Sequence, residues 1–102
     1  PEVGPIMLLG AGGVLAELHR NVAIRLAPLH LDEAREMIAA VRSLRILTGW
    51  RGLPRGDVEA LAHAVVAVSR LAALDSVREA EINPLMVHEH GVTVADAWIV
   101  RT

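Results

Sequence analysis

The stretch EINPLMV, residues 81–87, brings a carboxylate and a carboxamide together near the end of an otherwise apolar chain. Read as a strand, it alternates its side chains between two faces, with Glu81, Asn83, Leu85 and Val87 on one of them. The oxygens of Glu81 and Asn83 are ligands that a hard cation prefers. On a solvent-facing strand the same two residues would serve solubility alone.

A further oxygen donor, Asp96, lies on the strand that follows. If Val87 and Val92 flank a four-residue turn, the numbers of paired residues sum to 179, and Asn83 lies directly opposite Asp96. Directly opposed side chains have Cβ atoms roughly 4.5–5.5 Å apart, close enough for two oxygens to share one cation. With Glu81 added, the site has oxygen donors only, which suits Mg²⁺.

Two alternatives to this metal site stay open in the sequence. A bulge at Gly91 would shift the register by one residue and turn Asp96 to the other face. Asn83 and Asp96 would also be explained by a cross-strand hydrogen-bonded pair that holds no metal.

The glycine-rich stretch GAGG, residues 10–13, suggests a nucleotide loop but fails the dinucleotide-binding fingerprint. Leu15 stands where that motif requires glycine, and the pattern after the loop predicts a strand instead of a helix. The loop can still bring backbone N–H groups close to an anion, because glycine allows positive φ and close approach. A tight turn between two strands is the other interpretation.

Other polar residues carry weaker signals. Arg51 and Arg55 lie in a Gly/Pro-rich connector, residues 48–56, where they could clamp a phosphate or simply be exposed. His88 and His90 lie at the tip of a predicted turn, and we expect them to be solvated turn residues and not metal ligands.

Composition limits the possible functions. A chain of 102 residues is one domain at most, and its lack of cysteine excludes thiolate chemistry. A net charge of −2 and only two aromatic side chains argue against nucleic-acid binding. No apolar run reaches the length of a membrane helix, and no signal peptide is evident, so we expect a cytoplasmic protein. The chain opens with proline, which suggests a piece of something longer.

The apolar spacing predicts strands at both ends of the chain and helices between them. The predicted strands are 5–9, 14–18, 22–28, 81–87 and 92–100, with a turn at 19–21. One helix is predicted within residues 30–47 with Asp32 as its N-cap. A second helix is predicted after the cap Asp57, with its apolar stripe at Val58, Leu61, Val65, Val68 and Ala72. The order β-β-β-α-α-β-β predicts an α+β fold with an antiparallel or mixed sheet and two packed helices.

Three stretches occur together in an order and spacing that a known family shares. They are GPIMLLGAGGVLAELHRNVAIRLAPL, TGWRGLP with the DVEAL that follows it, and EINPLMV with GVTVADAWIV. Together they resemble the C-terminal part of the ATP-grasp domain of NDP-forming acyl-CoA synthetases, relatives of the succinyl-CoA synthetase β chain. The resemblance implies that residues 1–102 are the C-terminal subdomain of an ATP-grasp domain and a fragment of a larger protein.

The resemblance also implies a function and its cofactors. Enzymes of this kind hold Mg-ATP between two α+β subdomains and transfer its γ-phosphoryl group by way of a phosphohistidine or an acyl phosphate. In this branch the reaction interconverts an acyl-CoA, ADP and phosphate with the free acid, CoA and ATP. Asn83 and Asp96 match the family's magnesium ligands, and Glu81 belongs to the same E-x-N signature. The cofactors implied are Mg²⁺ and ATP or ADP.

The remaining residues that the resemblance assigns are expected to line the nucleotide cleft. They are Gly10, Gly12, Gly13, Glu17 and Arg51. No catalytic side chain is assigned, and the chain has no lysine to supply the family's phosphate contact. We therefore expect part of an acid–thiol ligase that is inactive alone. Its expected partners are the preceding ATP-grasp subdomain and CoA-binding domains, with acyl-CoA or an organic acid reached indirectly.

Two other functions remain possible on the sequence. The chain could be a non-catalytic ligand-sensing or assembly module of a multidomain protein, such as a synthetase-like acetyltransferase. It could also be a dimerisation domain, because the second helix is apolar on more than one side, and a homodimer is then expected. The presence of Glu81, Asn83 and Asp96 together favours the enzyme.

Overall fold

A computed structural model describes residues 4–10, 22–49, 52 and 54–102, which form an α+β fold as predicted. Strands lie at both ends of the described chain, with two α-helices and a 3₁₀ helix between them. Every strand pair within these residues is antiparallel. The predicted strand at 14–18 and the predicted turn at 19–21 lie outside the described residues.

The first two strands form a pair with large apolar side chains on both faces, and Arg25 is its one charged residue. β1 (Ile6–Gly10) pairs with β2 (Val22–Leu26), which confirms two of the predicted strands. Met7 and Ala23 are buried in the core on one face. The opposite face exposes large aliphatic side chains, namely Ile6, Leu8, Val22, Ile24 and Leu26. An exposed aliphatic face of this kind is typical of a surface that contacts another protein, a membrane or a ligand.

The first helix begins two residues earlier than the predicted cap implies, and its N-cap is His30 instead of Asp32. α1 (Leu31–Ala40) follows His30, whose backbone N–H donates to Glu33 Oε1 (2.9 Å). Asp32 lies in the first turn, where a carboxylate still interacts favourably with the positive end of the helix dipole. The cap prediction was wrong because the helix begins at the apolar Leu31, which packs against the core.

The single long helix predicted over residues 30–47 is also broken. Val41 is extended (φ −88°, ψ 102°), and the chain continues as a 3₁₀ helix (Arg42–Thr48) that ends at a left-handed Gly49 (φ 84°). Side chains three residues apart eclipse each other in a 3₁₀ helix. Leu44 and Leu47 accordingly both pack against the core.

The second helix follows the cap that the sequence predicts. α2 (Val58–Ala72) has Asp57 as its N-cap, and Asp57 Oδ1 accepts a hydrogen bond from the Ala60 N–H (2.9 Å). The predicted stripe is confirmed, because Leu61 and Val65 are buried and the other members are half-buried against the core. The buried positions of this helix are Leu61, Ala62, Val65, Val66 and Ser69.

An ion pair on the surface joins the two helices. Arg35 Nε and Nη2 donate to the two carboxylate oxygens of Glu59 (2.9 and 2.7 Å), and Nη1 donates to Asp32 Oδ1 (2.9 Å). The hydrogen bond with Glu59 raises the pKa of Arg35, and the hydrogen bond from Arg35 lowers the pKa of Glu59. Solvent screens these exposed charges, so apolar packing contributes most of the attachment between the helices.

The core is aliphatic and lies between the two helices and the β1–β2 pair. Its buried members are Met7, Ala23, Leu29, Ala34, Met37, Ile38, Val41, Leu61, Ala62, Val65 and Val66. No helix in the described part of the chain is long and apolar enough to span a membrane.

The chain closes with a long antiparallel hairpin. β3 (Val77–Ile82) pairs with β6 (Ala97–Arg101), and β4 (Leu85–Val87) pairs with β5 (Val92–Val94). The hairpin is interrupted between β3 and β4 and changes register between Val77 and Glu79. We refer to residues 77–101 as the closing ribbon. Its β3 strand contacts α2, and β5 contacts the same helix nearer the turn.

Gly56 lies where the 3₁₀ helix, the start of α2 and β4 meet. Its N–H donates to the Leu47 carbonyl (2.8 Å), and a Cβ at this position would lie 2.6 Å from Leu47 Cδ2 and 3.0 Å from Val87 Cγ1. We expect Gly56→Ala to lower the free energy of unfolding by about 1 kcal/mol, because the leucine tip can shift more easily than the strand residue. Urea unfolding followed by circular dichroism measures the change.

A double variant tests whether this clash is the cause. Val87→Ala removes the nearby Cγ1, so its cost should be smaller in the Gly56→Ala background than in the parent chain. If the losses of unfolding free energy in the two single variants simply add in the double variant, a clash with Val87 is not the cause.

Candidate metal centre

Asn83 and Asp96 lie directly opposite each other in the closing ribbon, as the sequence predicts. Paired residue numbers sum to 179 throughout the β4–β5 ladder on one side of them and in the four nearest pairs of β3–β6 on the other. The Asn83 N–H donates to the Asp96 carbonyl (3.0 Å), and the Ala95 N–H donates to the Pro84 carbonyl (3.0 Å). The shifted register that a bulge at Gly91 would produce is therefore not adopted.

The predicted common face of residues 81–87 is wrong. Leu85 and Val87 are half-buried and pack against the core, whereas Glu81 and Asn83 are exposed. The ladder is interrupted between β3 and β4, because Pro84 has no N–H to donate. Across this interruption the residues that face the core change from one alternating set to the other. Glu81 and Asn83, which precede Pro84, therefore face solvent.

The side chains of this region leave most of their oxygens available. Asp96 Oδ1 accepts a hydrogen bond from the Ala97 N–H (2.9 Å), which fixes the carboxylate next to the ribbon backbone. Within the described residues, no hydrogen bond joins the side chains of Asn83 and Asp96, so the alternative of a side-chain pair is not observed. Glu81, Asn83 and Asp96 are all exposed. We refer to these three residues as the metal edge.

The donor chemistry of the metal edge fits a hard cation. It comprises carboxylate and amide oxygens, without histidine or cysteine, and Mg²⁺ prefers this set while keeping several waters. In the part of the chain that the structure describes, no three His, Cys, Asp or Glu side chains gather as a metal cluster. A cation held at the metal edge would therefore have few protein ligands and would keep coordination positions for water and phosphate oxygens.

The turn of the closing ribbon is attached to the start of α2 by Asp57. Asp57 Oδ2 accepts a hydrogen bond from the Gly91 N–H (2.6 Å), while its Oδ1 caps the helix at Ala60 (2.9 Å). Its own N–H donates to the His88 carbonyl (2.7 Å). The N–H groups of Ala60 and then of Gly91 hold the pKa of the Asp57 carboxyl below its ordinary value. We refer to these hydrogen bonds as the Asp57 clamp.

Sequence reasoning found only half of this clamp. The spacing of Asp57 before an apolar helix predicts the cap, and the hydrogen bond to Ala60 confirms it. The bond to Gly91 joins residues 34 positions apart. No local pattern marks that partner, because the contact depends on how the ribbon folds back over the helix.

The predicted nucleotide-cleft residues are mostly not described. Gly10 ends β1, where it is half-buried and pairs with Val22. The other members of the predicted set, namely Gly12, Gly13, Glu17 and Arg51, lie outside the described residues. The structure therefore brings Asn83 and Asp96 together and leaves the placement of these four residues as a prediction.

The other polar candidates are exposed. His88 Nε2 lies 2.8 Å from Thr93 Oγ1, and His88 and His90 are both exposed at the turn, as expected for solvated turn residues. Arg55 is also exposed. An open groove of about 280 Å³ lies between α1, the 3₁₀ helix and the start of α2, and none of the metal-edge residues lines it.

Comparison with known proteins identifies the family. Residues 1–100 match the ATP-grasp domain family, and the chain belongs to that family. The structural features of this chain to compare with that family are the antiparallel strands, the helix pair and the opposition of Asn83 and Asp96.

The chain is similar to ADP-forming acetate–CoA ligases. It is 41% identical over 102 residues to acetate–CoA ligase (ADP-forming) I of Archaeoglobus fulgidus, covering 98% of this chain and 15% of that protein. It is 36% identical over 101 residues to the β subunit of the corresponding ligase I of Pyrococcus furiosus, covering 98% of this chain and 44% of that subunit. The chain thus spans less than half the length of these relatives.

A solved structure shows the same fold. The dinucleotide forming acetyl-coenzyme A synthetase 1 of Ca. Korarchaeum cryptofilum, in complex with coenzyme A and Mg-AMPPCP, is 36% identical to the chain. The two superpose with a TM-score of 0.89 over 100% of this chain and 48% of that one. The likeness covers the length of this chain, and the predicted α+β fold is confirmed as a match to an ATP-grasp domain.

Proposed function

We propose that this chain is the magnesium- and nucleotide-binding part of an NDP-forming acyl-CoA synthetase. The reaction it serves interconverts an acyl-CoA, ADP and phosphate with the free acid, CoA and ATP. The observation that carries the proposal is the direct opposition of Asn83 and Asp96, joined by the backbone hydrogen bond of 3.0 Å. The similarity to ADP-forming acetate–CoA ligases supports it.

The proposed role of the metal edge follows from the needs of phosphoryl transfer. Such transfer depends on positioning and on charge stabilisation at the phosphate oxygens, with little covalent work by the protein. Bound magnesium supplies that charge stabilisation. Asn83 and Asp96 hold the cation from opposite strands, and Glu81 adds negative charge beside them. The relative in complex with Mg-AMPPCP supports this choice of cofactor.

The rest of the proposal concerns residues and domains beyond the metal edge. Gly10, Gly12, Gly13, Glu17 and Arg51 would line the nucleotide cleft. Residues 1–102 would form the C-terminal subdomain of an ATP-grasp domain within a longer cytoplasmic protein. The preceding subdomain and CoA-binding domains would be its partners, and the acid and acyl-CoA would be reached through them. The relatives, of which the chain covers 15% and 44%, support this arrangement.

A paramagnetic titration tests the metal edge directly. We expect Mn²⁺ to broaden amide NMR signals of residues 81–83 and 95–97, and ATP to strengthen the effect, because phosphate oxygens complete the coordination. Asp96→Asn should weaken Mn²⁺ binding by roughly tenfold or more, since it removes a charged ligand. Glu89→Gln, which removes an exposed carboxylate from the ribbon turn, is the matched control and should leave binding unchanged.

The outcomes separate the two candidate functions. The titration is repeated on a longer chain that restores the preceding subdomain, in case the nucleotide requires both halves. Broadening at residues 81–83 and 95–97 in either chain supports the synthetase. Broadening centred on His88 and His90, or none in the longer chain, contradicts the metal edge and favours the non-catalytic module.

A further inference from the structure

We propose that Asp57 is a positioning residue for the metal edge, acting through the turn of the closing ribbon. The inference rests on the proposed function, because it assigns a task to a residue outside the metal edge. In this role Asp57 contacts neither the cation nor the nucleotide. Its task is to hold the ribbon in the one orientation that presents Asn83 and Asp96 together.

The Asp57 clamp joins the ribbon to the helix layer at two points. The Gly91 N–H donates to Asp57 Oδ2 (2.6 Å), and the Asp57 N–H donates to the His88 carbonyl (2.7 Å). His88 and Gly91 also bond to each other, through the His88 N–H and the Gly91 carbonyl (3.0 Å). Both ends of the four-residue turn are therefore fixed to the first residue before α2.

The ladder transmits this constraint to the metal edge. Hydrogen-bonded pairing runs from the turn through β4–β5 to the bond between Ala95 and Pro84 and then to the bond between Asn83 and Asp96. A two-stranded hairpin alone is marginally stable in water, so its orientation depends on what it packs against. Leu85 and Val87 attach the hairpin to the core by apolar packing, and the Asp57 clamp fixes the direction in which the hairpin lies.

The charge of Asp57 matters because both of its oxygens are used. A carboxylate accepts from two N–H groups at once, whereas an amide or a hydroxyl in its place cannot satisfy both in the same way. The groups around it are the Ala60 and Gly91 N–H groups, the side chain of His90 on the turn and Glu59 on the helix. The two N–H groups and His90 lower the pKa of Asp57 against the effects of burial and of the like charge on Glu59, so Asp57 stays ionised to a lower pH than usual.

Asp57→Ser separates the Gly91 bond of the clamp from the helix cap and from the backbone bond to His88. Serine is a good N-cap, so the Ala60 bond is retained, but its single oxygen cannot also reach Gly91. We expect hydrogen exchange at the Gly91, Ala95 and Asn83 amides to accelerate by roughly tenfold, while amides in the middle of α2 keep their protection. Asp75→Ser, in the exposed turn after α2, is the matched control and should change none of these rates.

A pH profile gives a readout that simple loss of packing would not produce. The pKa of Asp57 is lowered in the folded chain, so its stabilising effect is complete above the ordinary carboxyl pKa and is lost as pH falls through the folded pKa. After correction for intrinsic exchange, protection of Asn83 and Gly91 should fall across that range in the parent chain. In Asp57→Ser this step should be absent.

The metal arm of the experiment uses Mn²⁺ with ATP as the probe. In Asp57→Ser we expect broadening at Asn83 and Asp96 to require roughly threefold to tenfold more Mn²⁺, because the two ligands are less well oriented. Asp57→Asn is the second variant, since it keeps the side-chain shape and removes the second acceptor. It should accelerate exchange at Gly91 or Ala60 and lose the pH step.

Three results are decisive. The inference is overturned if Asp57→Ser accelerates hydrogen exchange at the Gly91 amide but leaves exchange at Asn83 and Ala95 unchanged. The effect of the clamp would then not extend beyond the turn. Faster hydrogen exchange at the Asn83 amide together with unchanged Mn²⁺ binding overturns the positioning role. If the parent chain and its longer form bind no Mn²⁺, the proposed function fails, and the exchange data alone still decide whether Asp57 orients Asn83 and Asp96.

Discussion

Met37→Ala is expected to lower the free energy of unfolding by about 2–5 kcal/mol, the range measured for removing a large buried aliphatic side chain. Met37 has no exposed surface and is among the largest fully buried side chains in the described chain. It lies on α1 within the aliphatic core that joins both helices to the strands. A domain of this size has only about 5–15 kcal/mol of stability in total. Urea unfolding followed by circular dichroism measures the change.

The matched control for this prediction is Met86→Ala. Met86 is 48% exposed on the closing ribbon, so the same truncation there should cost less than about 0.5 kcal/mol. The difference between the two variants isolates burial from the intrinsic effect of replacing methionine by alanine. A similar cost at both positions would contradict the placement of α1 on the core.

The opposition of Asn83 and Asp96 was predictable because the register of a β-hairpin follows from the position and length of its turn. Once a four-residue turn is placed between Val87 and Val92, every opposed pair follows from the same sum, including Asn83 and Asp96. The stretch HEHG between Val87 and Val92, which ends in glycine, suggested that placement. The N-cap of α2 was predictable for a similar reason, since Asp57 stands directly before an apolar repeat.

The predictions that failed depended on interruptions that a periodic pattern does not show. Apolar spacing continues from α1 through Leu44, yet Val41 is extended and the 3₁₀ helix begins after it. The strand alternation shifts at Pro84, so Glu81 and Leu85 do not share a face. At Val41, which is buried in the core, packing against residues distant in sequence accompanies the change of backbone. At Pro84 the missing N–H interrupts the ladder.

The closing ribbon links these packing effects to the proposed chemistry. One side of β4 and β5 packs on the core through Leu85, Val87 and Val92. The interruption that follows directs Asn83 and Glu81 to solvent, where a nucleotide and its cation have access. An uninterrupted strand would have kept Asn83 in the inward-facing set with Leu85. The proposed metal edge therefore depends on the shift at Pro84 as well as on the residue types at positions 81, 83 and 96.

Ser69→Ala is expected to lower the free energy of unfolding by about 1–3 kcal/mol. Ser69 is fully buried on α2, its Oγ accepts a hydrogen bond from the Leu29 N–H (2.9 Å), and its hydroxyl donates to the Val66 carbonyl (2.7 Å). Alanine would leave the Leu29 N–H buried without a partner, because Leu29 is only 3% exposed. Urea unfolding measures the stability, and exchange at the Leu29 amide reports the lost hydrogen bond.

Ser43→Ala is the matched control, because Ser43 is exposed on the 3₁₀ helix. It should change the free energy of unfolding by less than about 0.5 kcal/mol, so the contrast isolates the buried hydrogen bond. The bond spans 40 residues and fixes the entry to α1 against α2. Its loss should therefore expose the Leu29 amide first, before the middle of either helix. Continued protection of that amide in Ser69→Ala would show that Leu29 finds another acceptor, and the expected stability loss would then be absent.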